Sequence, residues 1–337
     1  MNNVDDKPSV TVFSLGGTIA SISSGVAGNG VTPQLGASEL ISAVPGIELV
    51  ANVEAVSFRQ VASSELTFED LSALAFEIDK RFEEGTTGVV VTQGTDTIEE
   101  TAFILTLLVR SQKPVVVTGA MRNPAMLGAD GPANILSAVK VAASVEFNGL
   151  GTLVVFSDEI HSARFVRKTH TSSLMAFRSP SLGPLGVILE GWPHLTYGIE
   201  RIKPISIPTE NAVPPVALHK FVLDDDNRIL EQIHRLGYAG LVIEGFGGGH
   251  VPSRSVEVLE HLVLNIPVVL ASRTGSGSTL RETYGFPGSE KDLLSRGLIG
   301  SGSLDGPKSR ILLSLLLAAG YDTDRIRKFF AHVNNLS

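Results

Sequence analysis

The stretch TVFSLGGTIAS, residues 11–21, decides the fold class of this 337-residue chain. From Val10 to Leu15 the residues are mostly apolar or β-forming, which predicts a buried strand. Gly16 and Gly17 then end the strand, because glycine permits a sharp turn and lets another group approach the backbone closely. The hydroxyl of Thr18 follows directly. The stretch therefore predicts a strand that presents a reactive group at its carboxyl end.

A second stretch, GVVVTQGTDTIEET at residues 88–101, has the same design. Its valine-rich strand runs into Thr95 and Asp96 and then into a helix. In an open parallel sheet the binding crevice lies beyond the carboxyl ends of the strands, so Thr18 and Thr95 are expected to face the same space. Taken singly, Asp96 or Thr97 also fits a helix cap, and LGGT also fits a structural turn or a phosphate loop.

Alternating strands and helices predict an α/β fold with a mostly parallel sheet wound with helices. A helix after Thr67 is predicted from three- and four-residue apolar spacing, with Thr67 as its N-cap. TIEETAFILTLLVRSQ and DGPANILSAVKVAAS predict two more helices. The other predicted strands are Gly88 to Thr92, Pro114 to Thr118 and Gly151 to Phe156.

The length of the chain predicts two domains, and 43% hydrophobic residues supply core for both. From Trp192 to Pro215 the composition changes to a segment with five prolines and no helical period. We predict a larger N-terminal α/β domain over 1–195, a linker over 196–215 and a smaller C-terminal α/β domain over 216–337. Within the smaller domain, DDDNRILEQIHRLG, residues 224–237, is predicted to be a helix.

Charge and composition exclude several functional classes. A net charge of -8 does not favour binding to nucleic acid, which depends on clustered lysine and arginine. The absence of cysteine excludes disulfides and thiolate catalysis. No apolar run is long enough for a membrane span, and MNNVDDKPSV does not resemble a signal peptide, so a cytoplasmic protein is expected. Neither of the common glycine-rich nucleotide-binding motifs occurs at the two strand ends.

A threonine nucleophile needs a base or a strongly polarising neighbour. His161 and His170 lie in a polar segment, and no G-x-S-x-G elbow is present. The remaining candidate is Lys168. Together with Arg164 and Arg167 it also fits a solvated basic loop, which the residues alone favour.

Five motifs together resemble the bacterial-type L-asparaginases, the asparaginase and glutaminase amidohydrolase family: LGGTIAS, VVVTQGTDTIEETA, VVVTGAMR, ADGPANILSAV and VRKTHTSS. The resemblance continues through GLVIEGFGGGHVP, VVLASRTGSG and KSRILLSLLL and so covers nearly the whole chain. It implies hydrolysis of L-asparagine to L-aspartate and ammonia without metal or cofactor. It also implies a homotetramer of two intimate dimers, with sites at the subunit contact.

The resemblance assigns the catalytic roles to four side chains. Thr18 matches the primary nucleophile, which forms a β-aspartyl ester. Thr95, Asp96 and Lys168 match a group that activates a nucleophile or the hydrolytic water. A lysine acts as a base only when neutral, whereas a neighbouring carboxylate stabilises its charged form, so proton relay and electrostatic support both stay open for Lys168. The backbone N–H of Thr95 is the expected oxyanion donor.

Substrate-binding residues follow from the same resemblance. Ser63 matches the serine that binds the α-carboxylate, with Ser64 beside it, and Asp96 is expected to hold the α-ammonium. Gly17 is expected to contact the substrate. The backbone carbonyl of Ala120 matches the group that accepts a hydrogen bond from the leaving amide. One methylene separates L-asparagine from L-glutamine, so a glutaminase-asparaginase of broader specificity is the alternative.

The chain also departs from the family pattern. Many members carry a tyrosine in the loop after the first threonine, and none lies there in this sequence. Glu282, Tyr284 and His250 are the candidates for contributions from a partner subunit, and Tyr284 could replace the missing phenol. The glycine-rich loop at 25–30 is expected to act as a lid. The missing tyrosine also leaves open a catalytically inactive sensor that binds an amino acid.

Overall fold

The structure is a computed structural model that describes residues 7–17, 19, 21–23, 31–33, 36–208 and 211–335, with the backbone alone described at 21–23 and 31–33. The chain divides into two compact units, the first ending at Pro204 and the second beginning at Ile205. Each unit is described by itself below.

The strands and helices have the following bounds. The strands are β1 Ser9–Gly16, β2 Ser21–Ser23, β3 Val31–Pro33, β4 Asn52–Val61, β5 Gly88–Thr92, β6 Val115–Thr118, β7 Thr152–Phe156, β8 Glu159–Ser162, β9 Arg167–Lys168, β10 Phe177–Arg178, β11 Gly186–Leu189, β12 Trp192–Leu195, β13 Val216–Lys220, β14 Gly240–Gly245, β15 Val268–Ser272 and β16 Ile299–Gly300. The helices are α1 Ala37–Ser42, α2 Ile47–Val50, α3 Phe68–Glu83, α4 Ile98–Leu108, α5 Gly131–Ala142, α6 Val256–Val263, α7 Glu290–Ser295, α8 Gly306–Ala318 and α9 Thr323–Asn335.

The first unit is built on an eight-stranded sheet in the order β12-β11-β8-β7-β6-β5-β1-β4. Strands β4, β1, β5, β6 and β7 are parallel, and β8, β11 and β12 continue the sheet antiparallel. The predicted α/β class with a mostly parallel wound sheet is confirmed.

Burial explains why the central strands form. β5, β6 and β7 are buried at every residue, as expected of parallel strands covered by helices on both faces. Helix α5 packs against β5, β6 and β7, and α4 packs against β6 and β7. The apolar side chains of these strands therefore exclude water on both sides of the sheet, and the polar residues Thr92 and Thr118 stand at the carboxyl ends of β5 and β6.

The helix predicted after Thr67 begins with a capping box. The Thr67 side chain accepts a hydrogen bond from the Asp70 N–H at 3.1 Å, and the Asp70 carboxylate accepts one from the Thr67 N–H at 3.1 Å. Two backbone donors at the helix start are thereby satisfied, which confirms the predicted N-cap.

The second unit carries a four-stranded parallel sheet in the order β13-β14-β15-β16. Helix α8 packs against β13, β14 and β15, and α6 packs against β15. The predicted smaller α/β unit is confirmed. No helix among the described residues of either unit has the length and apolarity needed to cross a membrane.

The helix predicted over 224–237 is wrong. Only Leu230–Gln232 forms a short 3-10 turn there. Asp224 and Asn227 have left-handed backbone angles, with φ of 63° and 64°. The Asp225 carboxylate accepts the Asn227 N–H at 3.2 Å. Short acidic side chains thus bond to the nearby backbone and compete with the helical hydrogen bonds.

The proline-rich segment begins later than its composition suggests. Trp192–Leu195 is strand β12, which pairs antiparallel with β11 at the edge of the large sheet. A linker over 196–215 stays a prediction. Strands β4 and β8 to β12 and helices α7 and α9 were not predicted. Strands β8 to β12 and helix α7 are too short for a clear period, whereas β4 and α9 are long enough and were overlooked.

His161 on β8 is a buried titratable group in the large sheet, with 0% of its surface exposed. Its Nδ1 lies 3.0 Å from Ser179 Oγ. Burial, reinforced by the charge of Arg178, lowers the pKa of His161 from 6.5 to about 4. The Glu159 carboxylate lies 3.3 Å from Nε2, but Arg178 already engages both its oxygens, so the ring stays neutral at pH 7.

We expect His161 to make the stability of the protein fall with pH between 6.5 and 4. The pKa of His161 is lower in the folded protein than in the unfolded chain, so the unfolded chain binds the proton first as the pH falls. Above pH 6.5 the imidazole is neutral in both states, and the free energy of unfolding is not reduced. Each pKa unit corresponds to about 1.4 kcal/mol, so as much as about 3 kcal/mol is lost by pH 4. The measurement is the free energy of urea unfolding against pH for the wild type and His161→Gln.

The exposed His261 provides the control, since His261→Gln is expected to keep the wild-type pH dependence. Identical pH dependence in the wild type and His161→Gln would contradict a buried neutral imidazole.

Candidate active site

The carboxyl ends of β1 and β5 lie side by side, with Ser14 paired to Thr92. Beyond this pair, Gly17 has a left-handed φ of 83° and lies directly against Gly94. A Cβ on Gly17 would overlap the backbone N and Cα of Gly94. The two glycine-ended stretches therefore meet through backbone, at a distance that no side chain permits.

Thr18, the predicted nucleophile, lies outside the described residues, as does the whole of the predicted lid, residues 25–30. Ile19 is described and is buried. A Cβ on Gly131 at the start of α5 would lie 3.0 Å from Ile19 Cγ1 and 3.5 Å from Ala120 Cβ. The residues on either side of Thr18 thus lie against Gly94 and near Ala120.

Ser63 lies in a 3-10 turn, Ser63–Glu65, that follows β4. It is buried against Gly94, because a Cβ built there would lie 2.9 Å from Ser63 Oγ. The Thr97 hydroxyl donates to the Ser63 carbonyl at 3.0 Å, and Gln93 Nε2 donates to Thr97 Oγ1 at 3.2 Å. A chain of hydrogen bonds thus ties the Ser63 turn to the end of β5, whereas Ser64 is exposed.

Lys168 joins Thr95 and Asp96 in one cluster. Its Nζ donates to Thr95 Oγ1 at 2.8 Å and to Asp96 Oδ1 at 2.6 Å. The Thr95 side chain is buried, that of Lys168 is 14% exposed, and that of Asp96 is 74% exposed. The structure thus brings together three of the four predicted catalytic side chains.

Lys168 reaches this cluster from a two-stranded hairpin rather than from a solvated loop. Strand β9 pairs with β10 through Lys168 and Phe177. Neighbouring Arg164 is buried, and burial lowers its pKa to about 10. The segment is therefore packed into the first unit, and its lysine points to the end of β5.

This arrangement has a definite chemical capacity. The Lys168 Nζ lies within hydrogen-bond distance of a hydroxyl and a carboxylate at once, and its contact with the carboxylate is a charge-assisted hydrogen bond. An ammonium at 2.8 Å stabilises any negative charge that develops on the Thr95 oxygen when that hydroxyl gives up its proton. The outward carboxylate of Asp96 is accessible to a cationic ligand.

Ala120 follows β6 and is buried. A Cβ on the preceding residue, Gly119, would lie 2.6 Å from the Gln93 carbonyl oxygen, so this loop packs against the end of β5. Three of the expected substrate-binding positions, Gly17, Ser63 and Ala120, are thereby grouped around residues 93–95.

The candidates for a partner subunit's site lie in the second unit. The rings of His250 and Tyr284 are 4.8 Å apart, and Tyr284 is 44% exposed. Glu282 is also exposed. Glu290 is fully buried; it accepts the Thr283 and Tyr284 N–H groups at 2.8 Å each and lies 3.1 Å from His250 Nε2.

Glu290 was not predicted from the sequence. Burial pulls its pKa upward, but the hydrogen bonds from the backbone and from His250 outweigh burial and lower the pKa. A buried carboxylate in this setting fixes the loop that carries Tyr284. Two further residues that were not predicted, Asp130 and Asn134, hold the loop around Ala120. Both stand in the motif ADGPANILSAV, where their i, i+4 spacing is the signal that could have found them.

Two family models match the chain in succession. The model described as "Asparaginase, N-terminal" covers residues 9–200, and that described as "Glutaminase/Asparaginase C-terminal domain" covers residues 215–330. The chain is 34% identical to "L-asparaginase 2" of Bacillus subtilis over 336 residues, 96% of this chain and 86% of that protein. It is also 34% identical to "Probable L-asparaginase periplasmic" of Haemophilus influenzae, over 97% of this chain and 94% of that protein.

A solved structure agrees with these sequence matches. The crystal structure of a "Probable Cytoplasmic L-asparaginase" from Campylobacter jejuni superposes with a TM-score of 0.86 at 32% identity. The match covers 96% of this chain and 99% of the other. Both the fold and the order of the two units are therefore shared with proteins of this kind.

We expect Gly17→Ala to destabilise the protein more than its backbone angle alone explains. The left-handed φ costs about 1–2 kcal/mol for an alanine, and overlap with Gly94 adds about 2 kcal/mol or more. The measurement is the free energy of urea unfolding.

Gly85→Ala is the matched control, because Gly85 has a φ of 105° and open space around its Cβ position. Equal destabilisation by the two substitutions would show that the Gly17–Gly94 contact imposes no steric limit.

Proposed function

Because the chain belongs to the asparaginase family, we propose that it hydrolyses L-asparagine through an ester on Thr18, with Thr95, Asp96 and Lys168 as the activating group. It is an amidohydrolase with the family's two-unit α/β fold. The observation that supports the mechanism is the placement of Lys168 Nζ at 2.8 Å from Thr95 Oγ1 and 2.6 Å from Asp96 Oδ1.

The first step forms the ester. The Thr18 oxygen attacks the side-chain carbonyl carbon of asparagine, and the carbonyl oxygen takes up the negative charge, which the Thr95 N–H stabilises. The bond from carbon to nitrogen then breaks, and the nitrogen leaves as ammonia with the proton released by Thr18. The product is a β-aspartyl ester on Thr18.

The second step consumes water. The water oxygen attacks the ester carbon, the bond to the Thr18 oxygen breaks, and the proton from water restores the threonine hydroxyl. Thr95 relays this proton: its oxygen takes the proton from water while its own hydroxyl proton passes to the Thr18 oxygen, and the Lys168 ammonium stabilises the negative charge that develops on the Thr95 oxygen during the transfer. The sum is L-asparagine and water to L-aspartate and ammonia.

Recognition of the α-carbon groups falls to the polar residues around residues 93–95. We assign the substrate carboxylate to Ser63 with Ser64, and the substrate ammonium to the outward carboxylate of Asp96. The Ala120 carbonyl accepts a hydrogen bond from the amide that leaves. Gly17 offers backbone without a side chain, so a substrate can lie close to it.

We further propose a homotetramer built of two dimers, in which Tyr284, Glu282 and His250 contribute to a partner subunit's site. Support comes from the exposure of Tyr284 and from the buried Glu290 that fixes its loop. Sedimentation velocity measures the assembly, and a monomer that retains full activity would refute this part. For the compartment we propose the cytoplasm, as for the similar Campylobacter jejuni protein.

We expect the purified protein to release ammonia from L-asparagine, and Thr18→Ala to lower the rate by at least about a thousandfold, because loss of the nucleophile removes the covalent route. Thr18→Ser keeps a hydroxyl and is expected to retain measurable turnover. Ammonia is measured with L-asparagine, L-glutamine and D-asparagine supplied separately.

The three substrates separate the alternatives. Comparable rates with L-asparagine and L-glutamine would establish a glutaminase-asparaginase. No release from any substrate, together with a rise in melting temperature on adding L-asparagine, would establish a sensor and refute the proposed hydrolysis.

A further inference from the structure

Asn134, in the first turn of α5, is bonded at both ends of its side chain. It is 4% exposed. Its Nδ2 donates to the Gly119 carbonyl at 3.0 Å and to Asp130 Oδ2 at 3.2 Å, and its Oδ1 accepts the Ser157 N–H at 3.1 Å. The first two partners can only accept and the third can only donate, so the orientation of the amide is determined by its surroundings.

One end of this amide holds the loop that contains Ala120. Besides the bond to Gly119, the neighbouring Asp130 carboxylate accepts the N–H of Met121 at 3.0 Å and of Arg122 at 2.9 Å. Polar bonds therefore fix the backbone immediately before and after Ala120. The direction of the Ala120 carbonyl follows from them.

The other end holds the turn between β7 and β8. Ser157 and Asp158 form the two-residue turn between Phe156 and Glu159, and both have the left-handed φ angles, 48° and 63°, that such a hairpin turn favours. The Ser157 N–H donates to Asn134 Oδ1, which ties this turn to α5. The Ser157 hydroxyl in turn donates to the Leu174 carbonyl at 2.5 Å.

Leu174 belongs to the connection between β9 and β10, the hairpin that carries Lys168. The hairpin is closed by the Thr169 N–H, which donates to the Ala176 carbonyl at 2.7 Å. A continuous path of hydrogen bonds therefore runs from the end of β6, through Asn134 and Ser157, to the segment that positions Lys168.

We propose that Asn134 is a positioning residue for the hydrolysis. Its amide fixes the position of the Ala120 carbonyl relative to the hairpin that carries Lys168. The inference rests on the roles proposed above for Ala120 and Lys168. The asparagine amide supplies the two donor hydrogens and the one acceptor oxygen that these three bonds require. Aspartate would place a second carboxylate against Asp130, and alanine would leave the Gly119 carbonyl and the Ser157 N–H without this partner.

The test compares kcat, KM and the pH dependence of kcat for Asn134→Ala, Ser157→Ala and the wild type, at a temperature where all are folded. Asn134→Ala is expected to lower kcat for L-asparagine by about 10–100-fold, because small misplacement of reacting groups has effects of this size. Ser157→Ala keeps the N–H but loses the bond to Leu174. It is expected to lower kcat less than Asn134→Ala does and to shift the pH dependence of kcat. The reason is that only the hydrogen bond to the hairpin that carries Lys168 is lost, while the loop around Ala120 keeps its bonds.

Thr106→Val is the matched control. The Thr106 hydroxyl accepts the Thr152 N–H at 3.1 Å at the start of β7, so the variant loses one buried bond at the opposite end of that strand. It is expected to lower the melting temperature and to leave kcat and its pH dependence unchanged.

Asn134→Ala with a lower melting temperature but wild-type kcat and pH dependence would overturn the inference, since its role would then be structural only. If that variant does not fold, Ser157→Ala decides, and wild-type kcat with a wild-type pH dependence overturns the link to Lys168. Lys168→Met separates this failure from failure of the proposed function. Full activity of Lys168→Met would refute the mechanism itself, whereas an inactive Lys168→Met beside a fully active Asn134→Ala would refute the inference alone.

Discussion

The close contact between Gly17 and Gly94 is the constraint on which the rest of the site depends. Two strand ends approach so closely here that a single Cβ would overlap backbone. Ser63 Oγ lies on the same glycine, at 2.9 Å from where a Cβ of Gly94 would stand. A polar turn from β4, the end of β1 and the end of β5 are thus packed around backbone alone. The hydrophobic strands that precede these ends determine this geometry. Strands β5 to β7 are buried throughout, and close packing in the core fixes their positions relative to one another.

Lys168 and Asp96 bring opposite charges to this packed edge. Lys168 arrives from a hairpin that is distant in sequence and inserts its ammonium between a buried hydroxyl and an outward carboxylate. Asp96 offsets the cost of placing a cation at a largely covered position, and its own exposure limits that cost. The same carboxylate is accessible to a substrate ammonium. In the mechanism that we propose, one ion pair serves both the activation of Thr95 and the recognition of an amino acid, and we infer that the hydrogen bonds through Asn134 keep the Lys168 hairpin aligned with the loop that contains Ala120.

The sequence predicted the elements that carry strong local signals. Valine runs that end in glycine located the central strands, and Thr67 with an acidic first turn located α3. The helix expected over 224–237 failed because aspartates that look like N-terminal helix residues bond instead to the turn they form. The site was harder, since Lys168 contacts a threonine 73 positions earlier, and no local pattern reports such a contact. Its role came from resemblance. For Asn134 the local signal is partial: its spacing from Asp130 points to one of its three partners, whereas Gly119 and Ser157 are brought to it only by the fold.

The central claim, an ester on Thr18, is tested most directly by trapping it. The protein is quenched in acid during turnover of L-asparagine and digested with trypsin, which places Thr18 and Thr95 on separate peptides, 1–59 and 82–110. We expect one added aspartyl group on the first peptide, located to Thr18 by fragmentation and absent from Thr18→Ala. An aspartyl group on the second peptide, or steady turnover with none on either, would contradict it.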